Sequence, residues 1–301
     1  MPSLPIGELA GLGTAVLWVV STLAFTAASR RLGATRVNLI RTIGAAAVLV
    51  VVQLLLARNP LSVGFEAAAW LAASGVIGLA IGDQCLFTAY VLVGPRVGSL
   101  LMTLAPGLAA VMAWLALGES MSGLAVAGLL VTTAGVGWVS VARGPARGEG
   151  GISVRGMALG VAAAACQAGG MLTAKFGMSE GLDPLGALTI RMVAAVAVIL
   201  PLAWWLGGRS PVQAAMPVGA AWRPLMLGTL AGPVGGVYLS LVAIEHVPLG
   251  VATTLMGLVP VLILPVTRLL HRERISTRAV LGAMIAVAGI ALLTAGARPS
   301  T

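Results

Sequence analysis

Apolar stretches of about twenty residues follow one another along this 301-residue chain, from residue 8 to residue 296. A helix of that length rises about 30 Å, the thickness of the hydrocarbon core of a bilayer. Only 9% of the residues are charged, 59% are hydrophobic, and the mean hydropathy is +1.04. A soluble domain carries about 25% charged residues, so there is too little polar surface here to face water. Inside hydrocarbon every backbone N–H and C=O has to be paired within the chain, which leaves helices or a closed barrel. Unbroken apolar runs of this length select helices. Ten spans can be drawn, at about 8–28, 37–57, 68–92, 96–117, 121–142, 155–176, 185–206, 222–244, 249–270 and 277–296. The reading is an all-α polytopic membrane protein with the lipid bilayer as its surroundings.

Self-comparison organises the ten spans. At a shift of 154, Leu101, Met102, Pro106, Leu115, Glu119, Ser122, Gly128 and Gly135 meet Leu255, Met256, Pro260, Leu269, Glu273, Ser276, Gly282 and Gly289. At a shift of 150, Arg41 in "NLIRTIGAA" meets Arg191 in "ALTIRMVAA". Leucine and alanine matches are cheap in this composition, but only seven glutamates occur in the chain, so the paired glutamates are informative. The stretch "ARGPARGEGGISVRG" (142–156), rich in Gly and Arg, reads as the linker. Residues 1–145 and 146–301 are therefore two five-helix units. Five is odd, so the second copy enters the membrane from the opposite side, which gives inverted repeats. Such repeats build secondary transporters, with the solute site near the midplane where the halves meet.

Charge and cysteine usage narrow the possibilities. The net charge of +9 comes from 17 arginines and one lysine, Lys175. Most of the arginines lie in short loops, where they orient helices, and no basic block interleaved with aromatics suggests nucleic acid. The abundance of Ala, Gly and Arg points to a GC-rich bacterial genome, and hence to the cell inner membrane. Loops after odd-numbered spans hold twelve arginines and the opposite face holds three basic residues, which places both termini outside. The N-terminus "MPSLPIGELAG" lacks a basic region and a cleavage site, so the first apolar run reads as a retained helix. Cys85 and Cys166 both lie in apolar runs and form no metal or disulfide framework.

The sequence resembles a known family. "GLAIGDQCLFTAYVLVGPRVGSLLMTLAPGLAAVMAWLALGES" (78–120) is similar to the third and fourth helices of the drug/metabolite transporter superfamily, EamA-type branch. "VATTLMGLVPVLILPVTRLLHRERIS" (251–276) resembles the second-half pattern of the same branch, with Arg272 where that pattern has glycine. The resemblance covers the whole chain as two five-helix EamA-like units. It implies transport of a small organic solute such as an amino acid, metabolite or drug-like compound, and leaves cargo and direction open. For many members it implies cytoplasmic termini, against the charge count. Motifs for ATP binding are absent, so the expected engine is a secondary transporter working by alternating access, proton-coupled or by exchange. No cofactor and no metal are expected. An intramembrane enzyme needs convergent groups such as HExxH or paired aspartates, and a receptor or scaffold needs no inverted repeat. The working unit is a monomer or a homodimer.

Ionisable groups at bilayer depth need a reason to be there. Asp83 is the clearest case: a candidate proton-coupling carboxylate, or a partner for a solute amine. Helical spacing puts Phe87 and Tyr90 on its face, while Gln84 points elsewhere. Gln167, Met171 and Lys175 form one stripe in the sixth span, with Gln167 roughly matching Trp18 of the first. Lys175, near its helix end, is expected to snorkel to the interface. Tyr238, after "GPVGG" (232–236), is a candidate cavity wall. Pro106 and Pro260 are candidate hinges, with Met102, Thr103 and Met256 one turn earlier, where each bend opens. Arg41 and Arg191 could pair with Asp83 or a solute carboxylate. Lying only a turn or so inside their predicted helix starts, they are expected to snorkel. Glu119 beside Ser122, and Glu273 beside Ser276, read as turn and helix-cap devices, with a gating contact as the alternative.

Overall fold

The computed structural model describes residues 5–56, 63–119, 121–142, 153–178, 183–207, 219, 222–259, 261, 262, 266 and 277–297. The first repeat contributes α1 (Ile6–Leu32), α2 (Ala34–Leu55), α3 (Phe65–Ser74), α4 (Asp83–Met102), α5 (Ala105–Leu117) and α6 (Gly123–Ala142). The second contributes α7 (Val154–Gly177), α8 (Pro184–Gly207), α9 (Trp222–Thr229), α10 (Val237–His246), α11 (Leu249–Met256) and α12 (Thr277–Ala297). Two π-helical segments, Gly75–Gly82 and Leu230–Gly236, join α3 to α4 and α9 to α10. The third long helix of each repeat therefore widens at the same place, and the described secondary structure is entirely helical. Among the described residues, six helical stretches are long and apolar enough to cross a membrane, and Ala105–Leu117, Gly123–Trp138 and Val280–Leu293 are shorter apolar helices.

Local chemistry sets the ends. Gly33 turns α1 into α2 at φ +81°, a left-handed value that glycine tolerates and side chains resist. The Ser153 hydroxyl caps α7 by accepting from the Gly156 N–H at 3.2 Å. Pro248 precedes α11 in extended geometry. The break between the third and fourth spans differs from expectation: α4 runs through residues 92–96 to Met102, and the turn falls at Thr103–Leu104. The cause is Pro106, in the first turn of α5, whose ring nitrogen cannot donate to the Met102 carbonyl. In the second repeat α11 likewise ends at Met256, followed by a turn at Gly257–Leu258. Pro260 itself lies outside the described residues, as does Glu273.

The repeats interlock through equivalent helices running antiparallel. On α6, Gly128 meets Leu293, Thr132 meets Gly289, and Gly135 meets Ala286 of α12. Residue numbers rise on one helix as they fall on the other. Small residues let the two backbones touch, which is how helices associate where lipid removes the hydrophobic drive. Thr132 donates to its own Gly128 carbonyl at 2.8 Å, and Ser122 donates to the Gly296 carbonyl at 2.8 Å. The first helices cross over to the opposite repeat: α7 lies on the first π segment with Gly170 against Gly78, and α1 lies on the second with Ser21 against Gly232. The Ser74 hydroxyl donates to the Gly170 carbonyl at the first crossing. Large apolar side chains such as Leu55, Trp114, Leu115, Leu130 and Trp205 face outward, as lipid contact requires.

Candidate functional site

Between the two repeats lies a cavity of about 630 Å³. Every long helix but the two fifth ones contributes to its wall. Trp18, Asp83, Phe87, Tyr90, Met102, Thr103, Pro106, Gln167, Met171 and Met256 all line it. It extends to the exposed Gly33, at the C-terminal end of α1. Residues overlooked in the sequence join them, among them Phe25, Thr42, Met192 and Thr253. Phe25 follows Trp18 by seven residues on one helical face, a spacing that could have revealed it. Most of the wall is apolar, so its few polar groups decide orientation.

The charge in the wall is the Arg41–Asp83 pair. Arg41 Nη2 bonds Asp83 Oδ2, and Arg41 Nε donates to Asn38 Oδ1 at 3.0 Å. The guanidinium also stacks near two rings, 4.9 Å from the Phe87 centroid and 5.6 Å from that of Phe25. Asn38 Nδ2 in turn donates to Gln84 Oε1 at 3.2 Å, so Gln84 faces α2 and stays out of the cavity. The expectation that Arg41 snorkels is wrong. Arg41 and Arg191 each stand seven residues after their helix starts, Ala34 and Pro184, about two turns deep rather than one. Arg191 is 1% exposed, the largest fully buried side chain among the described residues.

Tyr238 also departs from its expected place. It packs against the main buried cluster beside residues such as Leu241, while its neighbour Val237 takes the cavity position. Successive helical residues differ by about 100°, so Val237 and Tyr238 repeat the division between Asp83, inside, and Gln84, outside.

Lys175 neither snorkels nor lines the cavity. Its ammonium bonds Glu119 Oε1 and approaches the Val247 carbonyl at 3.4 Å. Glu119 does not cap its own neighbour. Its Oε2 accepts from the Leu249 N–H at 2.9 Å and so caps α11 in the other repeat, while Ser122 caps α6 by accepting from Ala125 N–H at 3.1 Å. Glu119, Lys175 and Leu249 form a clasp joining three helices. It sits at the end where Gly7 of α1 packs on Val247, opposite to Gly33. No cluster of three His, Cys, Asp or Glu that could hold a metal occurs among the described residues, and Cys85 and Cys166 are free thiols.

Two segments of the chain, residues 5–141 and 154–295, each match the EamA-like transporter family. The chain belongs to that family. It is a multi-pass membrane protein built from two EamA-like repeats, and as a family member a membrane transporter. A crystal structure of another protein superposes with a TM-score of 0.79 at 22% sequence identity, over 97% of each chain. That likeness shows the fold. No curated protein matches the sequence.

Proposed function

We propose that the protein is a secondary transporter that moves a small organic solute across a bacterial inner membrane by alternating access. The observation that carries this reading is the cavity between the repeats. It holds a charged pair in an otherwise apolar wall, reaches the bundle surface near Gly33, and lies away from the Glu119–Lys175–Leu249 clasp. Solute in the cavity has a path out at one end, and the clasp ties α5, α7 and α11 together at the other. Inverted repeats supply the opposite state, in which the roles of the ends exchange. The turns at Thr103–Leu104, between α4 and α5, and at Gly257–Leu258, after α11, fall at matched positions of the two repeats and are the candidate flexing points. One chain forms the whole cavity, so the monomer is the working unit. Asp83 is the coupling carboxylate: a proton on it removes the charge that holds Arg41.

The test is counterflow in proteoliposomes against a panel of amino acids, metabolites and drug-like compounds. Accelerated exchange of at least one solute is expected. A correctly folded protein that exchanges none of them would sink the reading.

A further inference from the structure

Among the described residues, the centre of the bundle holds two guanidinium groups, Arg41 and Arg191, and one carboxylate, Asp83. Arginine stays protonated in proteins, so Arg41 and Arg191 bring two positive charges against the single negative charge of Asp83. Arg41 gives one donor each to Asp83 and Asn38 and keeps the rest of its five N–H groups at the cavity wall. Arg191 is different. Its Nε and Nη1 have no hydrogen-bond partner, although the side chain is 1% exposed. Its backbone lies against Gly75 and its Nη2 reaches toward Gly78. It is close enough to Asp83 for their charges to interact. Arg191 is therefore one layer behind the cavity wall that Leu79, Asp83 and its own neighbour Met192 form.

An uncompensated buried charge is expensive, and an apolar residue of the same volume removes that cost. The repeat itself offers a remedy. Asp83, which neutralises Arg41, corresponds to Val237 at the shift of 154, and Val237 lines the cavity without a charge. The chain keeps the second arginine and omits its partner. We infer that the solute supplies the missing negative charge: it is a small organic anion, an apolar body with a single carboxylate. The body suits a wall of Trp18, Phe87, Met102, Met171 and Met256. The head accepts from the Arg41 guanidinium that lines the wall, and Arg191 raises the positive potential there through a medium of low dielectric. This rests on the reading of the cavity as the transport site.

The experiment uses full-length protein in proteoliposomes and three acids: 4-methylpentanoate, phenylacetate and indole-3-acetate. Each is run beside its primary amide and the amine of the same body. Carboxylates are expected to exchange while amides and amines do not. Arg191→Met should lower carboxylate affinity at least about tenfold and raise the unfolding midpoint in detergent, because an unpaired buried charge is gone. Val237→Asp should cause a comparable loss with the arginine in place, since it installs an internal partner. Should that variant fail to fold, Arg191→Met decides. Amides or amines exchanging as well as the acids overturns the inference, and so does an Arg191→Met protein of lower stability and unchanged affinity. Exchange confined to neutral or cationic solutes of the wider panel overturns it while leaving transport standing. No exchange of any solute removes the transport reading, and this inference with it.

Discussion

Replacing Glu119 by alanine should open the clasped end of the transporter. Two contacts vanish together: the ion pair with Lys175, whose partners are 22% and 20% exposed, and the bond from the Leu249 N–H. A pair this close to solvent is worth about 1 kcal/mol, and loss of a helix N-cap acceptor costs about 1 kcal/mol. Both contacts tie elements that must separate if this end opens, so their loss falls almost wholly on the clasped state. About 2 kcal/mol shifts a two-state equilibrium roughly 30-fold, enough to make a rare state a major one. Pulsed electron–electron resonance reads this out, with spin labels at Ala116→Cys and His246→Cys in a background lacking Cys85 and Cys166. Both labelled positions are exposed and lie beside the clasp. The parent should give one short distance, and Glu119→Ala a second, longer population. An unchanged distribution would refute the argument that the clasp holds this end shut. Glu119→Gln should fall between them, because it keeps an acceptor for Leu249 and loses the charge.

Other outcomes follow from the same geometry. Asp83→Asn should retain exchange but lose accumulation driven by an imposed pH gradient; a wild-type response to the gradient in the variant removes Asp83 from coupling. Gly135→Leu drives a side chain into the Ala286 backbone, which cannot yield. It should cost about 1–3 kcal/mol, seen as a lower unfolding midpoint, whereas Gly107→Ala, with open space around it, should be neutral. A periplasm-active reporter fused after Thr301 should be active if arginine distribution governs orientation; a cytoplasm-active reporter would instead favour the orientation the family resemblance implies.

Much of this architecture was legible because it rests on repetition and on period. Pro106, Glu119 and Gly128 recur 154 residues later, and that alone gave two five-helix units and an inverted arrangement. Trp18, Asp83, Met102 and Met256 share a cavity because helical faces and repeat symmetry are both readable from spacing. Arg41 reads as shallow because hydropathy starts its helix three residues late, whereas Arg191, whose helix start is legible to within one residue, is buried by packing on the first π segment. α2 begins at Ala34, earlier than hydropathy indicates, since the polar "TRVN" after it lowers the local average. The second π segment, Leu230–Gly236, falls on the "GPVGG" stretch, whose Gly and Pro loosen the backbone, while the first, Gly75–Gly82, carries glycine but no proline to mark it. The reach of Glu119 to Lys175 and Leu249 could not be read at all. Lys175 lies 56 residues further along the chain and Leu249 lies 130, and only the folded crossing of the repeats makes them neighbours.

The α6–α12 seam has a consequence for the ancestry and engineering of this chain. Its contacts obey one rule, each residue of one half meeting its reversed counterpart in the other, as at the interface of a two-fold symmetric homodimer. Such an interface holds without a covalent bond across it. A gene divided between Ala142 and Ser153 should therefore yield two polypeptides that insert in opposite senses, find one another through Gly128, Gly135 and Gly289, and rebuild the cavity. The single chain then secures stoichiometry, and it frees each half to diverge, as Asp83 and Val237 have done.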